Sequence, residues 1–465
     1  MGKALQETLR VLAAELGEGA ILTAESDCVA YGSDWTRSPG RAGAVVLPRT
    51  TPEVSRCLAL CAEKGVPVVP SGGRTGLAGG AVASENQLVL SLSRMSRIGP
   101  VDVLARTVRV QAGAVTQAVH EACAPSGLTW PIDLASKGSC QIGGNLSTNA
   151  GGLHVVRYGM SRRWVTGLQA VLVGGEIIEL NPGIEKNNTG YDLIQLLIGS
   201  EGTLGVITEA TLKLAPVARA SELVVFLFAL PSLSALPSLF ERVREAPFAT
   251  HSFEFFSEAC LRAVEAKLHR ASRLRSRAPY YALIEIEGGE GRDAWLSGVL
   301  ESGGVADGLM AESAEDRHAA WALREGITES LALTSTVRKH DLSLPVRQVV
   351  PFIEEVEAHA RAKGYQLDLY FFGHYGDGSP HINLLRPSGV EMPRYLADAV
   401  RFDEDLFALL KRYGGSISAE HGIGCLKKSW VTFSRTPAEL RLMRAIKAAF
   451  DPKGLLNPGK ILDQA

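Results

Sequence analysis

His374 and His381 stand on either side of Tyr-Gly-Asp-Gly-Ser-Pro, between the strand-like runs Leu-Asp-Leu-Tyr-Phe-Phe-Gly and Ile-Asn-Leu-Leu-Arg. The residues between them are turn formers, so the segment reads as a hairpin whose paired strands lie about 5 Å apart. Both imidazoles can then face one point, provided they project from the same side. A second element, Ala419-Glu420-His421-Gly422-Ile423-Gly424, offers a carboxylate and an imidazole on a glycine-flanked turn. Two histidines and one glutamate with open positions make a catalytic-metal ligand set, and zinc is the commonest fit. A hairpin with polar ends beside an unrelated capping Glu-His pair is the other reading, and spacing leaves both open. His421 is the weaker ligand, because two neighbouring residues rarely both reach one ion.

Arg324 and Thr328 lie four apart in Trp-Ala-Leu-Arg-Glu-Gly-Ile-Thr, which places them on one helix face. Lys339 follows in Val-Arg-Lys-His-Asp. A guanidinium, an ammonium and a hydroxyl form a natural carboxylate clamp. A solvated basic helix edge would look the same. Six further histidines (120, 154, 251, 269, 318, 359) stand singly in helical or loop contexts and read as satisfied or solvated.

Glycine supplies a different chemistry. Ser71 to Gly80 holds five glycines directly after a strand, where backbone N–H groups can turn inward and approach an anion. It has neither the Gly-Lys-Ser/Thr ending of a Walker loop nor a G-x-G-x-x-G pattern. Ser136 to Gly152 is a second such loop with five glycines and two asparagines, and Ile198 to Thr208 (IGSEGTLGVIT) is a third. Three polar glycine loops in one domain call for a large ligand. A dinucleotide fits, with its pyrophosphate on one loop and other parts on the others; three unrelated turns is the alternative.

The elements that must position these groups follow from periodicity. Ala44 to Pro48 is strand-like, and Thr51 then caps a helix with Pro52 at its first position, running toward Gly65. Strands recur at Val66 to Val69, Leu88 to Leu92, Thr107 to Gln111 and Gly205 to Leu214. Val165 to Val173 and Glu176 to Leu180 flank Gly174-Gly175 as a hairpin. After residue 221 the pattern turns helical around 255–270, 313–333, 347–363 and 392–413, alternating with strands at 280–286 and 366–372. A boundary is expected near 218. The uncharged run Leu223 to Phe240 is interrupted by Pro231 and Pro237, so it reads as a buried strand, Leu223 to Leu230, then a helix from Pro231. No internal repeat is visible.

Composition narrows the class. Forty-eight Lys and Arg against 50 Asp and Glu leave a formal charge of −2, which argues against a nucleic-acid partner. A hydrophobic share of 46% excludes disorder. Seven scattered cysteines with no CxxC fit reduced thiols in a cytoplasmic protein. Cys57 and Cys61, four apart, read as core. Met1 to Ala20 lacks the basic start and apolar block of a signal peptide. No membrane span is expected, and a homodimer is the default assembly.

Four motifs, PSGGRTGLAGG, GGNLSTNAGG, IGSEGTLGVIT and DPKGLLNPGKIL, resemble the vanillyl-alcohol oxidase / p-cresol methylhydroxylase superfamily of FAD enzymes over nearly the whole chain. The resemblance implies an α+β protein: a helical segment over 1–40, a two-lobed FAD-binding domain over 41–218, a substrate (cap) domain with a metal hairpin over 219–415, and a segment over 416–465 closing the active site. It implies FAD contacts in the first loop at Pro70, Ser71, Gly72, Gly73, Arg74, Thr75, Gly76, Leu77 and Gly80. In the second they fall at Ser136, Gly138, Ser139, Gly143, Gly144, Asn145, Thr148, Asn149, Gly151 and Gly152. In the third they are Glu201, Gly202, Gly205, Val206 and Ile207, with Asn457 in the tail. Many relatives carry a flavin-linked histidine where Arg74 stands, so non-covalent FAD is implied.

GHYGDGSPHINLL and SAEHGIG resemble the metal motifs of FAD-dependent D-2-hydroxy-acid dehydrogenases. By position, His374, His381 and Glu420 would be ligands of a divalent metal, Zn2+ first and Mn2+, Co2+ or Fe2+ as alternatives. His421 would be the catalytic base in contact with substrate, and Asn383 a neighbouring polar contact. LREGIT and KHDLSLP are more similar to D-2-hydroxyglutarate dehydrogenases than to D-lactate or glycolate enzymes. Arg324, Thr328 and Lys339 would then hold the distal carboxylate of a small dicarboxylic 2-hydroxy acid. D-malate and D-lactate are the rival substrates; the resemblance also suggests an electron-transfer flavoprotein or a quinone as acceptor. A flavin- and metal-binding protein without turnover is the rival from another class, and the intact His374, His381, Glu420 and His421 argue against it. A nicotinamide enzyme would need a fingerprint that is missing.

Overall fold

Apolar strands with no polar side must be buried on both faces, and the first sheet shows how. The computed structural model describes residues 2–36, 38–289 and 291–463. The chain forms two units: Met1–Gly152, Met160–Val217 and Glu420–Ala465 in the first, Leu153–Gly159 and Ala218–Ala419 in the second. In the first unit, β1 (Ile21–Leu22), β2 (Ala44–Val46), β3 (Val68–Ser71) and β4 (Leu88–Ser91) form a sheet in the order β1-β2-β4-β3. β4 is parallel to both β2 and β3. Ala44, Val46, Val68, Leu88 and Leu90 enter the main core, while Val45, Val69 and Val89 enter a second core on the other face. The alternation is the period of two of an extended chain.

The helix before β3, Thr51–Lys64, is capped by Thr50, whose hydroxyl accepts the Glu53 N–H. The cap expected at Thr51 thus sits one residue earlier, at Thr50. Thr51 already lies inside the helix and gives its hydroxyl proton to Gln169 Oε1 at 2.6 Å. Cys57 and Cys61 are core residues, and all seven cysteines are free thiols.

The first unit also holds an antiparallel sheet of β5 (Ile98–Asp102), β6 (Thr107–Gln111), β8 (Val165–Val171), β9 (Ile177–Leu180) and β10 (Val206–Lys213), ordered β5-β6-β10-β8-β9. β7 (Leu128–Thr129) pairs with β11 (Ala215–Pro216). The hairpin expected around Gly174-Gly175 is the β8–β9 pair.

The second unit is built on seven antiparallel strands: β12 (Leu223–Leu230), β13 (Ala249–Ser257), β14 (Tyr280–Glu287), β15 (Asp307–Ala311), β16 (Val337–Asp341), β17 (Asp368–His374) and β18 (Ser379–Leu385). Their order is β15-β12-β14-β13-β17-β18-β16. Helices Glu258–Leu268, Ala314–Glu325 and Ile327–Thr334 bury Cys260, Val264, Leu323, Ile327 and Leu331 against Leu227, Leu283, Phe256 and Phe372 of one sheet face.

Three expectations change here. The helical stretch expected at 255–270 begins only at Glu258, because Ala249–Ser257 is strand. The stretch expected at 313–333 is two helices broken at Gly326, where an added Cβ would press on Leu268 of the neighbouring helix. The helix after β12 starts at Ala235 rather than Pro231. Ser232 and Ser234 bond to each other at 2.7 Å in the intervening turn, the kind of local bonding that competes with helix. Among the described residues no helix is long and apolar enough to cross a membrane.

Candidate functional site

Strand register decides which side chains of the second unit share a face. Glu254 on β13 pairs with His374 on β17. Phe372 on β17 pairs with His381 on β18, which in turn pairs with Asp341 on β16. Directly opposed residues point the same way, and so do residues two apart on one strand. Glu254, His374, His381 and Asp341 therefore form a polar row on the sheet face that elsewhere holds the apolar core. The two imidazole centroids are 5.3 Å apart, nearly perpendicular.

The row is wired by buried charges. His374 Nδ1 lies 2.8 Å from Glu254 Oε1, which leaves Nε2 as the nitrogen for an exogenous ligand. A ligating imidazole held through its other nitrogen by a carboxylate is the usual supporting arrangement at a metal. Burial disfavours the charged ring, but the adjacent Glu254 carboxylate outweighs it and pushes His374 up to about 9. The same negative charge would favour a metal cation at His374. Glu254 itself is lowered despite its own burial, by the charges of His374 and Arg324. Arg324 donates to Glu254 Oε2 at 2.8 and 2.9 Å and lies over the Phe372 ring. His381 Nδ1 stands 3.7 Å from Asp341 Oδ1.

The other expected substrate residues of this unit are spread around the row. Asn383 is buried on β18 opposite Lys339, which is exposed on β16. Both share the face of His381, since Asn383 is two residues along the same strand. Thr328 is exposed on the helix after the break at Gly326, while Arg324 is buried in the last turn before it. The pair thus stands on two successive helices joined at Gly326, whose own backbone is helical at φ −68°, ψ −11°.

In the first unit the three glycine loops line one open cleft. Pro70, Ser71, Gly72, Gly73, Arg74, Thr75, Gly76 and Gly80 come from the first loop; Gly143, Gly144, Asn145 and Thr148 from the second. Glu201, Gly202, Gly205, Val206 and Ile207 come from the third, and His421 lines the same cleft. Leu77, Ser136, Gly138, Ser139, Asn149, Gly151, Gly152 and Asn457 lie outside its lining. Ser71 Oγ and Gln141 Oε1 are buried in its wall without a hydrogen-bond partner among the described residues. Orphaned polar atoms on a cleft wall are what a polar cofactor would satisfy, so these residues fit FAD. Arg74 carries its guanidinium 4.3 Å from the Tyr31 ring centroid.

Two residues tie the loops of this cleft together. Glu201, in a left-handed conformation at φ 51°, accepts the N–H groups of Ile423 and Gly424, both at 2.7 Å. Burial raises its pKa, and those two bonds oppose the rise. Asn457 Nδ2 donates to the carbonyls of Gly80 and Glu201 at 3.1 and 2.7 Å, tying the first loop to the third. The turn with Glu420 and His421 is thus anchored through Glu201, and Glu420 Oε2 accepts the Gly152 N–H at 3.1 Å.

Glu254, Asp341 and Gln141 escaped the sequence reading. A glutamate within the aromatic run Ser-Phe-Glu-Phe-Phe is the signal that could have found the first. His154 and His251 are not the isolated residues they resemble in the sequence, since their rings stand 5.6 Å apart.

With this geometry in view, an FAD binding domain family matches residues 42–181, and the FAD linked oxidases, C-terminal domain family matches residues 219–461. The chain is 42% identical over 448 residues to a D-2-hydroxyglutarate dehydrogenase of Xanthomonas citri pv. viticola, covering 95% of this chain and 94% of the relative. A Stutzerimonas stutzeri protein of the same name is 38% identical, covering 95% and 96%. The mitochondrial D-2-hydroxyglutarate dehydrogenase of Bos taurus is 36% identical, covering 96% and 81%. Among solved structures, 4-ethylphenol oxidase from Gulosibacter chungangensis is similar with a TM-score of 0.77 at 17% identity, covering 100% of this chain and 98% of its own. p-Cresol methylhydroxylase gives 0.73 at 15%, with the same coverage. At such identities those two structures share the fold, which is the p-cresol methylhydroxylase type expected from the motifs.

Proposed function

Since the chain belongs to the D-2-hydroxyglutarate dehydrogenase family of FAD-linked oxidoreductases, we propose that it oxidises D-2-hydroxyglutarate to 2-oxoglutarate with FAD and a divalent metal. The observation that carries the reading is the buried row Glu254–His374–His381, in which a carboxylate fixes one of two adjoining imidazoles for a ligand. FAD, when bound in the glycine-loop cleft, supplies a two-electron acceptor for the hydride on C2. A divalent cation, Zn2+ by ligand type, held by His374, His381 and Glu420, lowers the pKa of the substrate hydroxyl when bound.

The chain's own groups do the rest. His421 takes the hydroxyl proton, a task for which an imidazole is suited near neutral pH. Loss of that proton and of the C2 hydride turns the alcohol carbon into the ketone. Arg324, Thr328 and Lys339 bind the distal carboxylate and orient the substrate, with Asn383 as a further polar contact. Arg74 supplies no imidazole at the position where relatives attach flavin, so FAD is held without a covalent bond. The acceptor that reoxidises the flavin is an electron-transfer flavoprotein or a quinone.

Purified protein is expected to be yellow and to bleach under anaerobic D-2-hydroxyglutarate. D-malate and D-lactate should bleach it more slowly, and a chelator should stop the bleaching reversibly. Protein that rejects flavin on reconstitution, or bleaches equally with all three acids, would overturn the assignment.

A further inference from the structure

The sheet face that carries His374 also carries a second group of metal-type donors, and nothing in the proposed reaction uses them. Glu285 on β14 pairs with Ser252 on β13, two residues along the strand from Glu254 and on the same face. Its Oε1 accepts the Trp321 indole N–H at 3.2 Å. Its Oε2 lies 3.1 Å from His154 Nε2. His154 precedes the short helix Val155–Tyr158, which belongs to this unit.

His251 arrives by a different device. The β13–β14 register slips between Thr250 and Ser252, so His251 is the extra residue of a bulge. Bulges commonly re-aim a side chain, and here Nε2 ends 3.3 Å from Glu287 Oε2 on the same acidic edge. One donor atom from each of His154, His251 and Glu285 lies within 4.8 Å of the other two. We propose that His154, His251 and Glu285 form a second divalent-metal site, of the Zn2+ class, in this unit.

Bonds of 2.0–2.1 Å to a tetrahedral zinc separate its ligands by about 3.3 Å. The His154–Glu285 pair at 3.1 Å already has that bite. A small rotation of His251 brings in the third donor. Glu287, beside His251, can supply the fourth, which would close the coordination as structural zinc sites are closed. The Trp321 N–H orients the ligating carboxylate from outside, as second-layer partners do. Charge agrees as well. Two carboxylates, Glu285 and Glu287, meet the two imidazoles, with the guanidinium of Arg157 3.3 Å from Glu287, so Glu285 offers a cation a negative partner between neutral rings.

The experiment uses the full chain, stripped with chelator, reloaded with Zn2+, desalted and analysed for zinc per chain. His154→Gln and His251→Gln are expected to hold one zinc fewer than the unsubstituted protein while retaining D-2-hydroxyglutarate turnover. His374→Ala should lose turnover yet still show a Zn2+-dependent rise in melting temperature, and adding His154→Gln to it should abolish that rise. Equal zinc in the unsubstituted protein and His154→Gln overturns the site. His154 is half-buried in the turn before a short helix, so this variant decides the matter even if His251→Gln fails to fold. Turnover of His374→Ala tests the proposed reaction and the zinc difference at His154 tests this site, so the two can fail separately.

Discussion

Arg324 is 5% exposed and donates to a Glu254 that is 1% exposed, so replacing it removes more than a substrate contact. Deleting one partner of a buried ion pair typically costs about 3–5 kcal/mol, because the other charge is left without compensation. Arg324→Ala is thus expected to weaken the fold around His374 as well as the clamp, and its kinetics would mix the two losses. Lys339 is exposed at the edge strand β16, where substitution costs the fold little. Lys339→Ala is the cleaner probe. Loss of one charge-assisted contact of about 1.5–3 kcal/mol should lower kcat/KM for the diacid about 10- to 150-fold. D-lactate, with no second carboxylate, should be turned over as before. Equal losses on D-2-hydroxyglutarate and D-lactate, measured side by side, would remove Lys339 from the clamp.

Turns position the first unit's chemistry, and their tolerance differs from place to place. Gly424 has φ 51°, and a Cβ there would fall on the Ala78 carbonyl oxygen of the first glycine loop. Gly414 of the second unit, with φ 70°, has open space around it. Gly414→Ala should therefore cost only the strain of a left-handed alanine, about 1–3 kcal/mol. Gly424→Ala must push the Glu420–His421 turn off its Glu201 anchor, so flavin retention and turnover should collapse together. Absorbance and activity of the two purified variants check the contrast, and a Gly424→Ala protein that stays yellow and active would refute it. What the sequence disclosed at this scale was local. The hairpin around His374 and the strands at 107–111 and 223–230 could be read because turn residues and alternation are written in neighbouring positions. Glu254 was hidden because its strand borders a helix and the two patterns merged into one at 255–270. The bulge at His251 and the break at Gly326 arise from packing between elements distant in sequence, which no short window records. The brace from Glu201 to Gly424 spans more than two hundred positions for the same reason.

Over the whole molecule the formal charge is −2 and the isoelectric point about 6.6. Net self-repulsion is therefore small near neutrality, and acid sensitivity there must come from individual buried groups. His120, half-buried in the last turn of its helix, is one such group. Burial lowers its pKa below the ordinary 6.5, although Asp133 and bonds to the Trp130 and Ile132 backbone favour the charged ring. A depressed folded-state pKa means that the unfolded chain takes up the proton first. The stabilisation is present above pH 6.5 and fades as the pH falls from there toward the folded value. The slope from this single group cannot exceed about 1.4 kcal/mol per pH unit. Carboxylates at their ordinary values near 4 titrate below this window, and Glu201, whose pKa burial raises, acts in the opposite sense by favouring the folded state as the pH falls. His120→Asn keeps a donor for the backbone carbonyls but cannot titrate. Melting temperatures at pH 7.5 and 5.5 should fall further for the unsubstituted protein than for His120→Asn, and parallel decreases in the two proteins would clear His120 of any part in acid sensitivity.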